Sequence, residues 1–286
     1  MKIFLTTAVL FSAMVITNSS FCQKNKQKPI DTVLEAHSER WKVKLHRGMF
    51  GMAKPEFGPF STIDLDKVDS PVLRKRTKDG SYTEASFSPG QGWDWDFSKY
   101  QTVEKRKAYT MLVASESDTA ELVFSIYRIS HEKNLTFFGE LMSKDDEGKN
   151  ATLGYKTDVS GIISTGNDGL PWRFFIEDSF GRRENVTFAN TTRITRFFLI
   201  TPDDSLFTEP ILSTVGLPGS KFSWETQTGL FVKSANGQNI AAVKFGTPGD
   251  LSNPFYAWIR NDLEKSRQHA IASVLALLIS ARSGNN

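Results

Sequence analysis

Ala270-Ile-Ala-Ser-Val-Leu-Ala-Leu-Leu-Ile-Ser-Ala281, near the C-terminus, is the stretch whose reading decides the fold. Only Ser273 and Ser280 are polar, and Ile271, Val274, Leu275, Leu277, Leu278 and Ile279 project in nearly every direction around a helical axis. A surface helix keeps a wet face, so a helix that is apolar all round is enclosed by protein or by lipid. Its length of roughly 18 Å, at about 1.5 Å per residue, falls short of the roughly 30 Å of a bilayer core. Protein is therefore the better enclosure, and Ala270, Ala272, Ala276 and Ala281 let surrounding β-structure approach the helix backbone. Asn261 as cap, Glu264 three residues on and Gly284 as stop predict a helix over 261–283.

Upstream, the dominant period is two. Trp41, Val43 and Leu45 alternate with Lys42, Lys44 and His46; Leu122, Phe124 and Ile126 alternate with Glu121, Val123 and Ser125; Trp172, Phe174 and Ile176 alternate with Arg173, Phe175 and Glu177. This is the pattern of half-buried antiparallel strands. Further β-rich runs lie near 60–65, 82–87, 109–114, 134–142, 152–163, 193–200, 211–215, 221–233 and 239–245. Asp79-Gly80 and Asn236-Gly237 fit two-residue hairpin turns, and Asp145 to Gly148 a longer loop. Roughly a dozen strands at close spacing, with no repeat and no Pro- or Ser-rich linker, predict a mainly β chain. The expected architecture is an antiparallel barrel of about a dozen strands around the apolar helix, one domain over 40–286. A β-sandwich with a docked helix, or a helix paired in a dimer, is the alternative.

Composition narrows the function classes. The chain has 286 residues, 35 Lys+Arg against 32 Asp+Glu, 22 Phe and one Cys. A net charge of +3 is too small to call for a nucleic-acid partner. Residues 1–22 combine Lys2, an apolar run from Ile3 to Ile16 and small residues at Ser20 and Cys22, which reads as a cleaved signal peptide. The cut removes the only cysteine, leaving no disulfide and no thiol nucleophile, and no transmembrane segment in the mature chain. The expected destination is secreted or periplasmic. Anchoring as a lipoprotein at Cys22 is the alternative, against which Phe21 stands where a small residue is wanted. Residues 23–39 read as a polar leader.

The barrel pattern with its last apolar helix resembles the tubby-like C-terminal superfamily, which includes the plant LURP-one-related proteins and the phospholipid scramblases. Ile240-Ala-Ala-Val-Lys-Phe-Gly246, Phe255-Tyr-Ala-Trp-Ile259 and Arg260 to Arg282 are similar to that family's final strands and threading helix. The resemblance implies a helix-filled barrel. Eukaryotic members bind phosphoinositides through basic side chains or act at membranes, and no such residues map onto particular positions here.

Catalytic signatures are absent from the sequence: no G-x-S-x-G elbow, no P-loop, no Rossmann fingerprint and no H-E-x-x-H pair, so no catalytic residue, metal or cofactor is assigned. His37, His46, His131 and His269 lack close ligand spacing. In Ser88 to Phe97, Trp93 and Trp95 alternate with Asp94 and Asp96. Flat aromatics beside carboxylates suit a glycan ring, and the two aspartates suit acid and base roles in a carbohydrate-active enzyme. Aromatics facing a core and aspartates facing water explain the same pattern without a ligand. Asp64, Asp66 and Asp69 suit calcium, but Val68 interrupts the oxygen set, and a solvated turn accounts for them. Arg74, Lys75 and Arg76, with Lys105-Arg106-Lys107 and Arg182-Arg183, suit an anionic lipid headgroup or glycan, or simply solvated strand faces. The leading expectation is an exported, non-enzymatic binding or structural module of the cell envelope.

Overall fold

The computed structural model describes residues 31–46, 52–68, 73–88, 92–116, 118–135, 150–166, 170–182, 191–216, 223–246 and 252–283. Helix α1 (Thr32–His37) leads into β1 (Ser38–Lys42) and β2 (Lys44–His46), followed by β3 (Lys54–Phe57), β4 (Phe60–Lys67), β5 (Leu73–Ser88), β6 (Gly92–Ala114) and β7 (Thr119–Leu135). Then come β8 (Asn150–Thr165), β9 (Trp172–Arg182), β10 (Thr191–Ile200), β11 (Ser205–Gly216), β12 (Ser223–Ser234), β13 (Asn239–Lys244) and β14 (Tyr256–Arg260). The chain ends in helix α2 (Lys265–Ser283).

All strand pairings are antiparallel, in the order β1-β14-β13-β12-β11-β10-β9-β8-β7-β6-β4-β3-β2. The two ends of that order, β1 and β2, are halves of one run interrupted only at Val43, whose N–H donates to the Phe255 carbonyl at 3.0 Å. The sheet thus comes back to its own starting strand and forms a nearly closed barrel, which removes the exposed edges an open sheet would carry. Strand β5 takes over from β4 along β6: Lys67 pairs Tyr109, and Leu73 then pairs Arg106.

The period-two alternation sorts side chains to the two faces. Trp172, Phe174 and Ile176 on β9 are buried while Arg173, Phe175 and Glu177 are exposed; Thr195, Phe197 and Leu199 on β10 are buried while Arg196, Phe198 and Ile200 are exposed. One inward row runs Tyr109–Phe124–Gly161–Phe174–Leu199, each residue directly opposite the next. Gly161 is bare because a Cβ there would sit 2.6 Å from the Phe124 Cβ and 2.8 Å from the Phe174 ring.

Helix α2 fills this interior. His269 to Ser280 are all buried, and the helix touches β3, β4, β6, β7, β8 and β14, strands spread around the barrel. Each enclosed Leu or Ile contributes about 1.5–3 kcal/mol of apolar burial, and together they share one continuous core with the inward strand residues. The sandwich alternative is not what forms: there is a single sheet wrapped round the helix.

Several local expectations are corrected. Asp79-Gly80 makes no hairpin turn; the strand runs through it with a bulge between Lys78 and Gly80. Asn236-Gly237 does turn the chain between β12 and β13, with Gly237 at φ +81°. Helix α2 begins at Lys265 rather than Asn261: the Asn261 N–H is spent on the His37 carbonyl, and the first helical bond runs from the Gln268 N–H to the Glu264 carbonyl. The Gln268 side-chain amide then donates to the carbonyls of Arg260, Asn261 and Leu263, tying the preceding turn to the helix. Within the stretch 23–39, Thr32–His37 form α1 with Leu34 buried. Asp64 and Asp66 lie on β4, not in a turn. Residues 1–22, Asp69 and Asp145 to Gly148 lie outside the described residues.

Candidate functional site

The two ends of the barrel differ. At the end where α2 enters, short turns close the strands around aromatic packing: Trp41, Phe57 and Phe60 meet at ring-centroid distances of 6.0–6.4 Å, and Phe60 lies 5.6 Å from the ring of His269. Buried His269 sets Nε2 2.8 Å from the Val113 carbonyl and Nδ1 3.8 Å from Asp118. Ser115, Asp118 and His269 share a pocket of about 180 Å³, so the residue types of a hydrolytic triad converge there. Their bonding does not make one. The Val113 carbonyl holds the imidazole nitrogen that would take the serine proton, and the Ser115 hydroxyl donates to the Asp118 carbonyl. Around the same end, Asp203, Asp204, Asp262 and Glu264 face a cleft of about 480 Å³. Arg267 pairs with Asp204 at 3.1 Å, and Arg260 Nε donates to Asp262 at 2.9 Å, holding the Asp262 carboxyl below its ordinary range.

At the opposite end the strands β6 to β10 run on past the helix, and the inward residue type changes. The row Ile126–Val159–Ile176–Phe197 is followed by Arg74–Lys105–Arg128–Thr157–Asp178–Thr195, again each directly across from the next. Arg128 stacks on Tyr155, its guanidinium carbon 4.3 Å from the ring centroid. Asp178 accepts from the Thr195 hydroxyl at 2.7 Å and from the Tyr155 hydroxyl at 3.4 Å. From the last turn of α2, Arg282 donates to Thr195 Oγ1 at 2.8 Å and to Gln227 Oε1 at 3.0 Å, with its guanidinium 3.7 Å from the Phe245 ring centroid. Buried Gln227 in turn bridges the Thr195 backbone, accepting from its N–H and donating to its carbonyl. A cation at this terminus also complements the negative end of the helix dipole.

The row is cationic on β5 to β7 and carries one carboxylate, Asp178, on β9. Three strands in succession place cationic residues opposite one another, Arg74, Lys105 and Arg128. Like charges directly across a sheet are destabilising, and an anion between them reverses that sign. No ion pair with a carboxylate is formed by Lys105 or Arg128 among the described residues. On the other face of the same strands Lys156 is compensated, contacting Asp158 at 3.5 Å and Glu177 at 3.4 Å, and Tyr127 donates to Glu104 at 2.9 Å.

Of the sequence candidates, Arg74, Lys75 and Arg76 fall on β5 with exposed side chains at Lys75 and Arg76, and the register sets Arg74 beside Lys105. The Arg74 side chain lies outside the described residues, as do those of Trp93, Asp94, Trp95 and Asp96. The backbone of these four is strand β6, paired with Phe87, Ser86, Ala85 and Glu84. Asp64 is held below its ordinary range mainly by its bond to Lys54, and Asp66 is raised by sharing a hydrogen bond with Asp64. Among the described residues no group of three or more His, Cys, Asp or Glu is placed to hold a metal ion, and no helix is long and apolar enough to cross a membrane.

Sequence reading passed over Arg128, Asp178, Thr195, Gln227 and Arg282. The signal lay in the phase of the alternation: Leu122, Phe124 and Ile126 continue to Arg128 and Ser130, and Trp172, Phe174 and Ile176 continue to Asp178, on the same inward face. Comparison with protein family models, curated proteins and solved structures finds no match.

Proposed function

We propose that this protein is an exported, non-enzymatic binding module of the cell envelope that takes an anionic ligand at the open end of its helix-filled barrel. One observation carries the reading: Lys105 and Arg128 stand directly opposite one another on adjacent strands, in the row that leads to Thr195 and Arg282, with Arg74 in register beside Lys105. A row of like charges weakens a sheet unless something anionic occupies it, and α2 fills the interior where an enclosed reaction chamber would otherwise sit. The apolar leader at residues 3–16 supports export, and the helix-filled barrel supports kinship with the tubby-like superfamily.

Titration with pyrophosphate, followed by calorimetry, tests this. Binding is expected, stronger at low ionic strength, and weakened at least tenfold in a Lys105→Ala/Arg128→Ala variant, an order-of-magnitude expectation for losing two charge-assisted contacts. Lys156→Ala, on the compensated face, leaves it unchanged. Binding that is absent, or indifferent to the double substitution, overturns the proposal. Capture of a neutral glycan dependent on Asp94 and Asp96 would point instead to the carbohydrate reading.

A further inference from the structure

Directly beneath the polar row lies a cavity of about 60 Å³ between α2 and the barrel wall, several times the roughly 10–15 Å³ that one water requires. Its walls are Ile126, Val159 and Ile176 from the strands and Leu277 and Leu278 from the helix, while Thr157, Asp178 and Arg282 stand at its rim. Apolar cavities of this kind stay dry, because water inside would forgo its hydrogen bonds, and an unfilled gap also forfeits dispersion contacts. One row away, packing at Gly161 leaves no room for a methyl group. The cavity sits next to the row that gathers Lys105 and Arg128.

We infer that the open end binds a ligand with an aliphatic chain on an anionic head: the chain enters the cavity against Leu277, Leu278, Val159 and Ile176, and the head lies along Lys105, Arg128 and Arg282. The inference rests on the anion-binding reading above and adds the chain. An apolar slot ending at cations recognises neither a bare inorganic anion nor a neutral hydrocarbon well, since each satisfies one half of the site. Asp178 at the rim accepts from the Thr195 and Tyr155 hydroxyls, and Arg282 at the same rim balances its charge, so that Lys105 and Arg128, next along the row, are cations in excess.

The ligand chemistry has two sources, a free single-chain acid or a chain presented by a bilayer. The test therefore has two arms: calorimetric titration of the full chain with acetate and with octanoate, and sedimentation with vesicles of anionic lipid. Octanoate is expected to bind at least tenfold more tightly than acetate, roughly the gain from burying two methylenes. Val159→Phe, with Ile126→Phe as an independent filling, should erase that advantage in the free-acid arm, or abolish capture in the vesicle arm, while acetate binding stays as it was. Arg128→Ala should weaken both acids. Binding of acetate that depends on Arg128, with no gain for octanoate and no effect of either filling on vesicles, overturns the cavity assignment and leaves the anion site standing. Absence of Arg128-dependent binding in every arm overturns both.

Discussion

The two mouths of the barrel are built from the same strands and the same helix, yet they are finished in opposite ways. Where α2 enters, the rings of Trp41, Phe57, Phe60 and His269 cluster, the Gln268 amide gathers three carbonyls, and carboxylates at Asp204, Asp262 and Glu264 surround the helix start. Where α2 ends, packing leaves a cavity, and cations and hydroxyls replace the apolar rows. Acid at the positive end of the helix dipole and Arg282 at its negative end both favour the helix, so electrostatics alone does not explain the asymmetry. Packing differs too: the helix start is ringed by aromatic side chains beside clefts of about 480 and 180 Å³, whereas at the helix end a small, largely apolar cavity of about 60 Å³ lies against the helix itself.

The largest effect tests the element common to both ends. Val274→Asp puts a carboxylate amid an apolar enclosure with no partner, at a cost of about 3–5 kcal/mol or more, and is expected to leave little folded protein by circular dichroism. A cooperatively folded variant of near-native stability would mean the helix is not enclosed. Next in size, Ile271→Ala in the tight half and Leu278→Ala beside the cavity are both expected to destabilise by about 2–5 kcal/mol in denaturant unfolding, with Ile271→Ala the more costly. Ile271 is fully buried among the barrel residues, whereas Leu278 already borders a void and has fewer contacts to lose. The reverse order would erase the packing difference between the ends.

How far the sequence foretold this depends on which end is considered. The twelve residues from Ala270 to Ala281 cannot form a surface helix or cross a bilayer, so their enclosure followed from side-chain chemistry alone, and the alternation in Trp172 to Glu177 gave the inward face of β9. The open end was harder to read because its residues come together through register. Arg74 meets Lys105, and Lys105 meets Arg128, only once β5, β6 and β7 are aligned, and no local period announces that alignment. The helix start differs for a related reason: Asn261 suits a cap by residue type, but its carbonyl, which in a cap accepts the first helical N–H, takes the Gln268 side-chain amide instead. Asp79-Gly80 has turn chemistry, yet the long ladder between β5 and β6 absorbs it as a bulge.

A smaller effect separates function from stability at the open end. Lys105→Gln removes one member of a like-charged cross-strand pair, so thermal unfolding is expected to be unchanged or raised by about 0.2–0.5 kcal/mol at low salt. Anion binding falls in the same variant. Loss of stability together with loss of binding would mean that Lys105 is held by interactions of the fold and not kept for a ligand.

The smallest effect concerns proton linkage, and its sign should differ between Asp262 at the helix start and Asp66 on the outside of β4. Asp262, near the helix start, is held below its ordinary value of 3.8 chiefly by its hydrogen bond with Arg260. A carboxyl whose folded value is lowered contributes stability above the unfolded value and loses it as pH falls through the folded one. Asp66, farther along β4, is raised above 3.8 chiefly by its hydrogen bond with Asp64. Its favourable contribution exists while it is protonated, below 3.8, and is lost as pH rises through the raised value. Thermal unfolding recorded from acid to neutral pH should therefore show Asp262→Asn below the native protein only above the carboxylate range, the gap closing in acid. Asp66→Asn should lie above the native protein at neutral pH and converge with it in acid. Both carboxylates are solvent-facing, so both differences should shrink with added salt. Parallel pH profiles for the two variants would contradict the opposed linkage.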